Sequence, residues 1–229
     1  MDSDALPPLH ISLGNDCAVA EILRDRGLRP AAFPFDWAVT YGGVARLFGA
    51  PDALTQWCAV DGAGYNAAHG TLHLHTPFPY ALPTMARRFE RLRAVLADPA
   101  QRVVLIRRSH TLHHHFERAE ALVDELADAR ALANGLKAAF PAKAAAGGFR
   151  LLLLLACDMC HPKLEPGADP GGVLEVHNLT RGPSSTFAEK YPSKTYKDAL
   201  QARLTELGVA GPPPAQAPGP EQGPYALEQ

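Results

Sequence analysis

Cysteine is scarce. Four cysteines (Cys17, Cys58, Cys157 and Cys160) in 229 residues are too few to staple a chain of this length, which excludes a small disulfide-framed scaffold and reads them as thiols. No sign of charge dominates: 22 Lys and Arg stand against 24 Asp and Glu, a net charge of −2. A dedicated nucleic-acid binder, which works through a basic excess, is excluded on that ground. Long hydrophobic runs are missing too. The longest, Leu151–Cys157, falls far short of the ~20 residues that span a bilayer. The N-terminus, MDSDALPPLH, has no apolar stretch of the kind a secretory signal needs, so the expectation is a cytoplasmic protein without membrane contact. Neither G-x-x-x-x-G-K-[ST] nor G-x-G-x-x-G occurs, and Gly147-Gly148 precedes a strand instead of following one. Nucleotide binding has no support, and no cofactor is expected.

What is present is ordinary globular material, 47% hydrophobic and 20% charged, and the length suits one domain. The clearest boundary is Gly211. From there GPPPAQAPGPEQGPYALEQ holds six of the 21 prolines, more than a helix or central strand tolerates. The expectation is a single domain over residues 1–210 and a disordered Pro/Gly-rich tail over 211–229. Strand signals fall at Leu9–Leu13, Thr71–His75, Val103–Ile106, Phe149–Ala156 and Val173–His177. Helical spacing marks Cys17–Arg26, ended by Gly27, then Tyr41–Phe48, Thr84–Leu96, His115–Phe140 and Lys194–Leu207. Phe33–Trp37 is a rigid aromatic turn, and residues 58–70 read as loop. On the helix over 84–96, Met85, Phe89, Leu92 and Leu96 point inward and Arg87, Arg88, Arg91 and Arg93 outward. Strands alternating with helices give an α/β class, with α+β as the variant: a central sheet flanked by helices.

Cys17 opens a helix directly after the turn Gly14-Asn15-Asp16. Unpaired N–H groups and the positive end of the helix dipole favour a thiolate there, and Asn15 with the first backbone N–H groups suits an oxyanion. The bland alternative is a small buried hydrophobe. A thiol nucleophile needs a base. His75, at the edge of TLHLH, suits a cleft-facing imidazole, with His73 on the same face and His69 in the preceding loop. Asp36, in Pro34-Phe35-Asp36-Trp37, either orients an imidazole or holds its own turn.

Cys157, Cys160 and His161 match C-x-x-C-H. Haem attachment is rejected because no export signal accompanies the motif, and zinc is only half supplied. His110 and His113–His115 lack the glutamate of a zinc-protease helix. Seven arginines lie between Arg87 and Arg108. Most read as a solvated face, while one of Arg107 and Arg108 points into a cleft; the group also suits phosphate or sugar-acid recognition.

The stretch Ser12–Thr40, SLGNDCAVAEILRDRGLRPAAFPFDWAVT, resembles the N-terminal signature of a little-characterised family described as papain-like cysteine peptidases. That pattern is S-L-G-x-x-C, a helix ending in G-L-R, then P-F-D-W, here Ser12-Leu13-Gly14, Cys17, Gly27-Leu28-Arg29 and Pro34–Trp37. The resemblance continues through a strand ending at His75, Arg87-Arg88-x-x-Arg91 and the strand before Arg107. Where family members read H-D-F, this chain has His75-Thr76-Pro77-Phe78.

The resemblance implies a papain-like core with Cys17 as nucleophile and His75 as base. Asp36 or Asp158 would be the third residue. It implies a peptide, amide or ester substrate, cleaved or transferred through a thioester. A glycan-linked substrate fits the same reading, with Trp37, Arg88 and Arg107 as the expected contacts. Two rivals stand beside this reading. One is a non-catalytic glycan- or phosphate-binding module that uses the arginine-rich helix. The other is a zinc-stabilised interaction domain.

Overall fold

The computed structural model describes residues 6–14, 17–40, 44–45, 57–60, 62–66, 71–110, 112–113, 116–117, 119–157, 167–168, 172–180 and 194–209. In chain order it runs β1 (Leu9–Ser12), α1 (Ala18–Asp25), β2 (Ala38–Thr40), β3 (Trp57–Val60), β4 (Ala63–Asn66) and β5 (Thr71–Pro77). Then come α2 (Ala81–Ala97), β6 (Val103–His110), β7 (Leu112–His113), β8 (Phe116–Glu117), α3 (Ala119–Ala139) and α4 (Pro141–Ala145). The chain finishes with β9 (Phe149–Cys157), β10 (Gly167–Ala168), β11 (Leu174–Thr180) and α5 (Lys194–Glu206).

The main sheet has the order β1-β6-β9-β11-β10, with the first four strands parallel and β10 antiparallel. A parallel sheet covered on both faces demands strands apolar on both sides. The run Leu151–Leu155 meets that demand through its alternation. Leu151, Leu153 and Leu155 join one core with Met85, Phe89, Leu92 and Leu96 of α2 and Leu132 and Leu136 of α3. Leu152 and Leu154 join the other, with Val19, Ile22 and Leu23 of α1 and Leu200 and Leu204 of α5. This is a mixed α/β architecture: a small, mostly parallel sheet with helices on both faces. Among the described residues no helix is long and apolar enough to cross a membrane.

A second, antiparallel sheet has the order β2-β5-β4-β3. Its β3–β4 hairpin corrects the expectation of a loop over 58–70. Val60 pairs with Ala63, so the connection is Asp61-Gly62, and Gly62 takes φ +80°. An Asp-Gly pair between two short apolar runs is a strong hairpin signal. The helix expected from His115 begins instead at Ala119, behind the two-stranded β7–β8 ribbon. Of Tyr41–Phe48 only Val44 and Ala45, both helical, are described, and the 211–229 tail lies outside the described residues.

Lys143 of α4 closes the end of α2 from a buried position. Its Nζ donates to the carbonyls of Val95 (2.9 Å), Leu96 (3.2 Å) and Asp98 (2.7 Å), and it sits 4.8 Å from the centre of the Phe149 ring. Helix-terminal carbonyls need such partners. Lys143→Met keeps the aliphatic stem and removes the donors. Its expected cost is about 2 kcal/mol, the scale of losing hydrogen bonds from a charged group. A urea titration checks it, and an unchanged midpoint would mean water replaces the ammonium freely.

Candidate functional site

The carboxyl ends of parallel strands are where open α/β sheets place their ligands. Cys17 follows the carboxyl end of β1. Leu13 extends the β1–β6 ladder through its N–H to the Ile106 carbonyl (2.9 Å), Gly14 turns with φ +78°, and Cys17 stands at the N-cap position of α1. Cys17 already has helical angles (φ −80°, ψ −7°), and its carbonyl accepts from the Glu21 N–H at 2.9 Å. Helix α1 ends as the sequence foretells. The N–H groups of Gly27 and Leu28 return to the carbonyls of Arg24 and Leu23, the double bond pattern of a glycine C-terminal cap.

The thiol is half-buried. Burial pushes it up from its ordinary range, and the Glu21 carboxylate one turn below adds to that push. A backbone hydrogen bond and the Lys197 ammonium act in the opposite direction. The helix terminus expected to favour a thiolate is thus opposed by burial and by Glu21.

His75 lies in β5 of the second sheet, at a break in the ladder. Gly64 of β4 pairs with His73, yet the preceding Ala63 pairs with Pro77. Between those two pairs β5 carries Leu74, His75 and Thr76 and β4 carries nothing. A bulge of this kind re-aims side chains and is common beside active sites. His73 is buried, at 1% exposure, and pairs across the other edge with Ala38 of β2. Gly14, which opens the turn leading to Cys17, touches this sheet at β2. A Cβ on Gly14 would lie 2.9 Å from Thr40 Oγ1 and 3.2 Å from the Ala38 carbonyl oxygen, both on β2. The turn that leads to Cys17 is therefore packed against β2, the strand hydrogen-bonded to the one that carries His75.

Asp36 takes the turn-holding role of the two foreseen for it. It is fully buried. Its Oδ2 accepts from the Phe33 N–H (2.8 Å) and from Arg29 Nη1 (2.7 Å), so the ion pair ties G-L-R to P-F-D-W. Burial raises its carboxyl above the usual range, against the pull of the Phe33 N–H and Arg29. Trp37 carries the Arg24 and Arg29 guanidinium carbons 5.6 and 5.4 Å from its ring centre, so cations of its own chain flank it.

The arginines need correction. Arg88 is buried, because it falls on the stripe of Met85, Phe89 and Leu92, and its charge acts on Asp36. Arg107 is 3% exposed with all five donors occupied inside the protein. Nε (2.9 Å) and Nη2 (2.5 Å) grip Glu125, Nη1 reaches the Leu13 carbonyl (3.0 Å) and Thr40 Oγ1, and Nη2 also reaches the Thr40 carbonyl (3.0 Å). It holds the β1 turn, β2 and α3 together, which leaves it no donor for a substrate. Arg91 donates to the Ala32 carbonyl (2.5 Å) and Arg87 to Thr84 (3.2 Å). Of the four arginines expected to face outward, Arg87, Arg91 and Arg93 are exposed and Arg88 is the exception.

Asn15, His69, His114, His115, Asp158, Cys160 and His161 lie outside the described residues. Cys157 ends β9, opposite Thr180. His110 ends β6 and His113 is in β7, so these two histidines stand on strands and not on a helix. Among the described residues no three His, Cys, Asp or Glu side chains gather as a metal would need.

The sequence reading missed Glu21, Lys197, Thr40 and Glu125. Only Glu21 had a local signal, its position four residues beyond Cys17 on a helix. Comparison of the chain with family models, with curated proteins and with solved structures returns no match.

Proposed function

We propose that this protein is a cysteine-dependent hydrolase or acyl-transfer enzyme with a papain-like arrangement, in which the Cys17 thiolate attacks and His75 serves as base. The observation that carries the reading is the packing of the Cys17 turn against β2. That strand pairs with β5, and β5 bulges around His75. Nucleophilic thiol catalysis requires a thiol and a base within hydrogen-bond reach, and packing the turn before Cys17 on the strand next to β5 supports that pairing.

In this mechanism His75 takes the thiol proton, and the sulfur adds to the carbonyl carbon of a peptide, amide or ester. Backbone N–H groups of the 15–17 turn, with Asn15, hold the oxyanion. Protonated His75 gives its proton to the departing amine or alcohol, leaving a thioester. Water or another acceptor then releases the acyl group and restores the thiol. Asp36, engaged with Arg29, contributes by fixing the turn that leads into β2. Asp158 is the remaining candidate for orienting the imidazole.

The test is the pH dependence of Cys17 alkylation by iodoacetamide, read by peptide mass spectrometry in wild type and His75→Ala. A thiolate paired with imidazolium reacts at pH 5.5, whereas an isolated thiol titrates near ~8.5. Because burial and Glu21 both push this thiol up, labelling at pH 5.5 requires a strong opposing charge, and its loss in His75→Ala would identify the source. Slow labelling of both proteins, rising only above pH 8, would overturn the dyad.

A further inference from the structure

Cys17 does not act in isolation from the far end of the chain. Glu21 lies one helical turn below it, joined by the backbone hydrogen bond from its N–H to the Cys17 carbonyl. The Glu21 carboxylate in turn ion-pairs through Oε2 with Lys197 Nζ of α5. The two helices are locked side by side by Val19 and Ile22 against Leu200 and Leu204, so the pair cannot drift apart without opening that core. The Glu21 side chain is 23% exposed and that of Lys197 40%, placing the pair where water screens it only in part.

We infer that the Glu21–Lys197 ion pair bridging α1 and α5 regulates the nucleophilicity of Cys17. This rests on Cys17 being the nucleophile of the reading above and adds the element that tunes it. Among the described residues the charged groups that act on the thiol are these two, Glu21 from its own helix and Lys197 from the helix packed against it. His75 enters from β5 in the proposed mechanism.

The physical logic is that of two opposite charges near a developing third. A thiolate beside the Glu21 carboxylate is repelled, and the Lys197 ammonium cancels part of that repulsion. With the pair intact the ammonium offsets part of the carboxylate's push, while burial still holds the thiol up. Loss of the ammonium leaves the carboxylate unopposed and quenches the nucleophile, while loss of the carboxylate leaves the ammonium to favour the thiolate. Glu21 and Lys197 are thus positioning residues that touch no substrate, and capture of Lys197 by any anion would slow Cys17 from a distance.

The experiment uses the full chain and the same alkylation midpoint, in which the thiolate displaces iodide from iodoacetamide. The variants are Glu21→Gln, Lys197→Met, the double variant and Lys197→Arg, each in wild-type and His75→Ala backgrounds. Glu21→Gln is expected to lower the midpoint by about one pH unit and Lys197→Met to raise it by about as much, near tenfold in rate at fixed pH. The double variant should return toward wild type, and Lys197→Arg should match it. A merely structural ion pair would move both single variants in the same direction, through loosened packing. That outcome, or unmoved midpoints, would overturn the regulation. The His75→Ala background separates the two readings. Opposite shifts there with no labelling at pH 5.5 in wild type would leave the ion pair's influence standing and remove the dyad.

Discussion

Arg107→Leu is expected to lose about 3–5 kcal/mol of folding stability, because it strands Glu125 in the interior without a counter-charge. The Arg107 and Glu125 side chains are 3% and 6% exposed. Asp128, beside them on α3, is already pushed above the usual carboxylate range by burial, with Arg107 pulling it down and Glu125 pushing it further up. Removing the guanidinium deletes the attraction that both carboxylates share, and it takes one donor from each of the Leu13 and Thr40 carbonyls. Against a typical total of 5–15 kcal/mol, that threatens the fold itself. The pH dependence of the loss distinguishes charge from packing. In the variant, Asp128 loses the pull of Arg107 and binds a proton still more tightly folded than unfolded. Its penalty is therefore small below the unfolded carboxylate range and grows as pH rises through the folded one. Denaturation at pH 5 and pH 8 should show the larger deficit at pH 8. Arg107→Leu combined with Glu125→Leu should recover part of the loss, since an apolar pair leaves no buried charge. An equal deficit at both pH values would locate the effect in lost packing and in the Leu13 and Thr40 bonds.

Arg107 also marks where sequence reasoning stops. The α/β alternation was legible because it is written locally. Leu151–Ala156 is apolar at every position, as a covered strand must be, and Met85, Phe89, Leu92 and Leu96 repeat at helical spacing. Gly27 closes α1 for a reason visible in its own neighbourhood. A buried arginine carries no such mark. Whether Arg107 reaches solvent depends on Glu125 eighteen residues later and on Thr40 in another sheet. Arg88 was legible in principle, because it stands three residues from Met85 and one from Phe89, but its charge argued for the surface and the stripe prevailed. The thiol environment divides in the same way. The helix terminus beside Cys17 is local, while Lys197 arrives from 180 residues away and desolvation from the packing of the whole layer. The hairpin at Asp61-Gly62 failed for a different reason, as its signal was present in the sequence and was read as loop.

Gly14→Ala and Gly27→Ala make a matched pair that isolates how tightly the Cys17 turn is pressed against β2. Both glycines have positive φ, +78° and +66°, so an alanine pays a similar backbone cost at each, about 1–2 kcal/mol. At Gly27 the new methyl meets nothing within 4 Å. At Gly14 it meets Thr40 Oγ1 at 2.9 Å and the Ala38 carbonyl oxygen at 3.2 Å. Thr40 cannot retreat freely, since Arg107 donates to its hydroxyl and its carbonyl, and that hydroxyl donates in turn to the Leu13 carbonyl. Overpacking against so constrained a neighbour adds about 1–3 kcal/mol. Gly27→Ala should therefore lower stability by about 1 kcal/mol and leave Cys17 labelling at its wild-type midpoint, the φ cost falling at the far end of α1. Gly14→Ala should lose about 3 kcal/mol, the sum of strain and contact, and should also shift the labelling midpoint, because the turn that aims the thiol must move off β2. Urea titration and alkylation of the same two variants give both readouts. Equal stability losses would mean that Thr40 yields at little cost. A large loss at Gly14 with an unmoved thiol would mean that the turn bends elsewhere and that its contact with β2 stabilises the fold without placing the nucleophile.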